Sequence, residues 1–228
     1  SREYALRIQE KNAVIHALQA QMNPHFIYNV LQSISGAAML QRPDLVTRIT
    51  SSLGNILRYN IAGHSPVVTL QKELENVTDY LTIQKLRYGN RLSYEIHVPD
   101  ELLHCAVPRV TLQPMAENAV IHGFEGRQEA GHLLIHGWQD SGTLILEVID
   151  DGCGMSPDEV SLLKEKLHEE IDAPFGKTNI GLGNLCSRLH LMYGDAGTVE
   201  IESEKGEGTV VQIRLPAVIQ EESLCTES

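Results

Sequence analysis

The sequence predicts an α+β chain: an N-terminal helical hairpin followed by an α/β sandwich, one mixed sheet covered by helices on one face. Two observations carry this expectation. Up to about residue 90 the apolar residues recur at three- and four-residue steps, the helical period. Beyond it, stretches such as "LSYEIHV" and "TLILEVID" read as strands interleaved with capped helices, the mixture that builds layered domains.

The elements follow in order. Tyr4, Ile8, Ile15, Leu18 and Met22 form a short coiled-coil seam interrupted by Lys11, a pattern that one amphipathic helix packing on its own domain serves equally well. The helical pattern resumes through "FIYNVLQSISGAAML", breaks at "QRPD", and continues from Asp44, placed as an N-cap, to about Tyr59. A third helix is expected from Thr69 to Arg87, with a Thr cap and acidic residues in its first turns. After "YGNR" come a strand, "LSYEIHV", a helix over "VPRVTLQPMAENAVIHG" ending at Gly123, and a strand pair, "HLLIHGWQ" and "TLILEVID". "SPDEVSLLKEKLHEE" reads as a capped helix and "GLGNLCSRLHLMYG" as another, before the closing strands "TVEIESE" and "GTVVQIRLP". We therefore expect a coiled-coil helix at 1–20, a helical domain at 21–90, an α/β domain at 91–218 and a loose polar tail at 219–228.

Composition narrows the function classes. With 18 Lys and Arg against 30 Asp and Glu, the formal charge of -12 repels a phosphate backbone and argues against direct nucleic-acid binding. Cys105, Cys153, Cys186 and Cys225 are scattered without metal-type pairing and read as free thiols of a reducing compartment. No apolar run approaches the ~20 residues that a membrane helix needs. The chain opens at Ser1 inside a helical pattern, so a preceding part, a membrane sensor among the possibilities, is expected.

Three boxes carry chemistry. In "IDDGCGM" an aspartate ends a strand and Gly152 and Gly154 follow at alternate positions. A buried carboxylate there accepts a hydrogen bond from an exocyclic amine, and glycines let the backbone approach a flat base. A plain Asp–Gly turn uses the same residues. In "ENAVIHG", Asn118 and His122 stand one helical turn apart. An asparagine carbonyl is a hard donor suited to Mg2+, and a polar helix end is the alternative. "NIGLGNL" sets Gly181 and Gly183 at a helix start, where free N–H groups favour phosphate, although glycines also make plain flexible loops.

The order and spacing of these boxes from about 105 to 216 resemble the GHKL ATPases, the Bergerat fold. "ENAVIHG" looks like the N box, "DDGCG" the G1 box, "NIGLGNL" the G2 box and "GEGTVVQIRLP" the final glycine-threonine strand. The resemblance implies ATP and Mg2+ as cofactors. It also implies that Asn118 holds the metal, that His122 belongs to the nucleotide box, and that Asp150 takes the adenine amine. Gly152 and Gly154 would line the base, Thr209 of the final strand would belong to the nucleotide site, Gly181, Leu182 and Gly183 would meet the phosphates, and about 156–180 would form a lid.

The stretch "MNPHFIYN" extends the resemblance. A helical hairpin bearing "QMNPHFIYNVLQSI" ahead of a GHKL domain resembles the LytS/YesM-like sensor histidine kinases, and "LQPMAENA" is similar to that family's approach to its N box. By this resemblance His25 is the phosphoacceptor, 21–90 the dimerisation and phosphoacceptor domain, and a response-regulator receiver domain the partner of a homodimer. The chain would be the cytoplasmic portion of a bacterial inner-membrane sensor. The residues agree, since a neutral imidazole has a lone pair able to attack a γ-phosphoryl group. Asn29, about 40° around the helix from His25, is placed to orient it, and Pro24 to disturb the helix.

The pattern departs from the family at Lys177 and Asn179, in place of earlier G2 glycines, and at Ile121, in place of a lysine. Pro114 stands where topoisomerases and chaperones have the glutamate that activates water, which favours transfer to a side chain over hydrolysis. Three rival readings are an ATP-holding module without transfer, a GHKL ATPase clamp and a serine kinase.

Overall fold

The computed structural model describes residues 24–61, 65–124, 128–171 and 181–219. The expected coiled-coil seam, Lys177 and Asn179 lie outside them, as does most of the expected tail. The chain falls into two compact units, 1–63 and 64–228.

The first unit is a helical hairpin of α1 (Pro24–Met39) and α2 (Pro43–Ile61). Phe26, Val30 and Ala37 of α1 and Ile49 and Ile56 of α2 are buried, at spacings that mark one face of each helix. The turn is set by hydrogen bonding: Gln41 N–H donates to Ala38 O and Arg42 N–H to Ala37 O, with Gln41 at φ 54°. That is the Schellman arrangement, and Pro43 then opens the next helix where its missing N–H costs nothing. Asp44 is therefore not the N-cap expected. It lies inside the first turn and pairs with Arg42 at 2.8 Å, on the surface.

The second unit contains β1 (Val67–Thr69), α3 (Leu70–Tyr88), β2 (Leu92–His97), β3 (Ala106–Pro108), α4 (Leu112–Asn118), a π-helical segment (Ala119–Phe124), β4 (Gly131–Asp140), β5 (Thr143–Asp150), α5 (Pro157–Ile171), α6 (Gly181–Tyr193), β6 (Thr198–Glu204) and β7 (Gly208–Pro216). Its five-stranded sheet has the order β2-β4-β5-β7-β6. β2 and β4 are parallel and the other neighbours antiparallel, so the sheet is mixed as expected. Along β5 and β7, Leu144, Leu146, Val148, Val211, Ile213 and Leu215 point to one buried face, the period-two signature of a sheet covered on that side. Leu112 and Met115 of α4 and Leu185 and Leu189 of α6 are buried in the same unit, each contributing about 1.5–3 kcal/mol by leaving water.

The helix α3 falls in the second unit, where its polar groups fasten it to the segment before α4. The single helix expected over "VPRVTLQPMAENAVIHG" is instead β3, a turn at Val110, α4 and the π-helical segment. Val107 pairs with Val68 in a small second sheet, which takes the start of that stretch out of the helix.

Candidate functional site

Asp150 ends β5 and is 4 % exposed. Its Oδ1 accepts the Gly152 N–H at 2.9 Å, closing the turn that begins the G1 stretch. A Cβ on Gly123 would stand 2.8 Å from that same oxygen, and one on Gly152 would collide with the Gly123 backbone. The π-helical segment, β5 and the G1 turn therefore meet where only glycine fits. Gly154 (φ 58°) and Gly208 (φ 116°) add left-handed backbone, and a Cβ on them would strike Glu204 O and Asp150 O.

Thr209 lies opposite Asp150 in the β5–β7 ladder and is buried. Its hydroxyl is 3.0 Å from Ser203 Oγ, which donates to Gly208 O at 2.7 Å and accepts the Met155 N–H at 2.8 Å. Ser203 thus ties the G1 stretch to the β6–β7 hairpin. Nothing in the sequence singled it out, since its partner Met155 is 48 residues away. Cys153 donates its thiol to His122 O at 2.9 Å, so the contribution of His122 seen here is its backbone while its side chain is exposed. Cys105, Cys153 and Cys186 are free thiols, as expected; Cys225 lies outside the described residues.

Asn118 closes α4 and is half-buried. Residues 119–124 bond as a π-helix, so the spacing of 3.6 that placed His122 one turn above Asn118 does not hold beyond that point. Glu117 accepts Gln113 Nε2 at 2.8 Å, and burial raises its carboxyl above its ordinary value while that hydrogen bond opposes the rise. Gly181, at the start of α6, lies over the first turn of α4: a Cβ there would be 3.4 Å from Pro114 Cβ. Leu182 is 2 % exposed, which leaves its backbone, not its side chain, for a ligand.

In the helical hairpin His25 is exposed and Asn29, one turn on, is 7 % exposed. The Asn29 amide nitrogen lies 3.3 Å from Nδ1 and 3.4 Å from Nε2 of the imidazole. An amide so placed donates to whichever ring nitrogen is unprotonated and restrains the ring.

Two family models match, "Histidine kinase" over residues 13–92 and "Histidine kinase-, DNA gyrase B-, and HSP90-like ATPase" over residues 108–219. The chain belongs to the histidine kinase family. The sensor histidine kinase YesM of Bacillus subtilis is 34% identical over 90% of this chain and 34% of its own length. The sensor protein LytS of Bacillus cereus is 30% identical over 96% of the chain and 36% of its own. This histidine kinase chain thus spans about a third of the length of those curated relatives. A solved structure, the histidine kinase domain of a blue-light activated kinase from Erythrobacter litoralis, aligns with 92% of the chain and 94% of its own at 19% identity, TM-score 0.47. Among the described residues no helix is long and apolar enough to cross a membrane.

Proposed function

We propose that the chain is the catalytic core of a two-component sensor histidine kinase, binding Mg-ATP in its α/β unit and passing the γ-phosphoryl group to His25. The observation that supports this best is the pairing, in one chain, of a restrained exposed imidazole at His25 and Asn29 with a glycine-lined cradle around buried Asp150. The cradle suits a flat base: Asp150 accepts the exocyclic amine, Thr209 stands beside it in the ladder, and Gly123, Gly152 and Gly154 keep side chains away. Backbone N–H groups at the start of α6, around Gly181 and Gly183, favour phosphate.

The residues at the end of α4 fit a divalent ion shared with phosphates, because the half-buried Asn118 side chain supplies a hard amide oxygen. When bound, Mg2+ neutralises charge on the phosphate oxygens as the phosphoryl group leaves. The chain's own part is positioning. A lone pair of neutral His25 forms the N–P bond, the bond from the γ-phosphorus to the bridging oxygen breaks, and ADP departs. Asn29 holds the ring, and Pro24 shapes the helix around it. Pro114, standing where a water-activating glutamate is absent, leaves histidine as the acceptor. A receiver aspartate of a response regulator then takes the group, and the chain works as a homodimer within a membrane-anchored sensor.

Stoichiometry tests this reading against a clamp ATPase. A kinase core given excess Mg-ATP forms a phosphoprotein to at most one group per chain and then slows. Steady phosphate release without phosphoprotein would contradict the proposal.

A further inference from the structure

Val110 joins three elements while holding a backbone conformation that its side chain resists. Its φ is 58°, the left-handed region, where a β-branched residue is strained. Such strain persists only when surrounding contacts over-determine it. Here both backbone polar groups of Val110 are held by side chains of other helices. Its N–H donates to Glu73 Oε1 at 2.6 Å, and its carbonyl oxygen accepts from Arg188 Nη2 at 2.6 Å. Glu73 lies on α3 and is fully buried; Arg188 lies on α6, the helix that Gly181 opens.

The second Glu73 oxygen accepts the N–H groups of Thr111 at 2.7 Å and Leu112 at 3.0 Å, which lead into α4. A further fastening runs along the same pair of helices. Asn76 Nδ2 donates to Gln113 Oε1 at 2.9 Å, and Gln113 Nε2 donates to Glu117 Oε1 at 2.8 Å, beside Asn118. The carboxylate of α3 therefore caps the helix that carries the N box, and the strained residue it captures also anchors the helix that carries the G2 box.

We propose that Glu73 and Arg188 are positioning residues of the nucleotide site, fixing through Val110 the helix that ends in Asn118 against the helix that opens at Gly181. This rests on the reading of Asn118 as the Mg2+ ligand. A site assembled from two separate helices tolerates misplacement of only about 0.5 Å, and the first turn of α4 is held by a carboxylate from α3. α3 is the first helix after the phosphoacceptor hairpin in the sequence, so the capture also links the entry to this unit with its ligand-binding helices.

The test is calorimetric binding of a non-hydrolysable ATP analogue to the full chain, with and without Mg2+, for Glu73→Gln, Arg188→Gln and Asn76→Ala. Glu73→Gln and Arg188→Gln should weaken Mg2+-dependent binding roughly tenfold or more, the size of effect seen when groups orienting a metal ligand are removed. Binding without Mg2+, carried by the base at Asp150 and the amides at the start of α6, should fall by a clearly smaller factor, and in Glu73→Gln the amides of 110–112 should lose hydrogen-exchange protection. A role confined to stability would lower both affinities by the same factor and overturn the proposal. Asn76→Ala loosens the same helix pair without unburying a carboxylate, and serves if Glu73→Gln does not fold; it should show a smaller loss of the same Mg2+-selective kind. Unchanged Mg2+ dependence in all three variants, with the dependence lost in Asn118→Ala, would overturn the positioning role alone. Wild type and Asn118→Ala binding equally with and without Mg2+ would instead overturn the reading of Asn118 and this proposal with it.

Discussion

At Gly208 a φ of 116° and the nearby Asp150 carbonyl oxygen leave no place for a Cβ. Gly208→Ala should therefore lower stability by about 1–3 kcal/mol, the usual cost of a side chain in a forbidden backbone region, measured by urea unfolding. Asp150→Asn keeps the shape of the turn but removes the charge expected to receive the adenine amine. Nucleotide affinity should fall about 10- to 100-fold, since hydrogen bonds to charged groups contribute about 1.5–3 kcal/mol. Glu117 makes a pH prediction. Burial raises its carboxyl, so ionisation costs the folded state. That cost is absent below the ordinary glutamate range and grows as pH climbs through the raised folded value. Glu117→Gln should thus raise Tm relative to wild type at pH 7 to 8, and the gain should vanish as the pH falls toward 4. Asp150, Gly152 and Gly154 were legible because their spacing is local and chemically specific. Gly123 read only as a helix end, Glu73 only as an acidic residue in the first turns of α3, and Ser203 did not stand out at all, because their partners are brought up by the fold from distant parts of the chain.

At the scale of elements, local chemistry and long-range pairing divide the chain clearly. α5 was readable from "SPDE". Ser156 N–H donates to Glu159 Oε2 at 2.8 Å and the Glu159 N–H reaches back to Ser156 Oγ at 3.4 Å, a capping box. Ser156→Ala should cost about 1 kcal/mol in thermal or urea unfolding. Thr69 caps α3 in the same way, its side chain accepting from Lys72 N–H, and the helix was expected within a residue of its ends. The segment before α4 failed to be read for the opposite reason. Its residues have no turn signature, and Val110 adopts a conformation against its own preference because Glu73 and Arg188 hold it. The β1–β3 pair is only three residues a side, too short for periodicity to reveal. The π-helical segment is invisible to a 3.6-residue pattern by construction.

For the molecule as a whole, two units are joined in one chain, a hairpin bearing His25 and an α/β unit bearing the cradle around Asp150. The order of the boxes set the box-bearing unit apart in the sequence. α3 has the amphipathic look of the preceding helices, yet its buried face carries Glu73 and Asn76, polar groups whose use becomes clear only once α4 lies against it. Phosphoryl transfer from ATP to His25 is the central proposal. Its most direct test is incubation with Mg2+ and γ-labelled ATP, comparing wild type with His25→Gln and challenging the labelled protein with acid and alkali. The account predicts a label that is lost in acid, survives alkali and is missing from His25→Gln. Label retained in His25→Gln, or an acid-stable label, would contradict it.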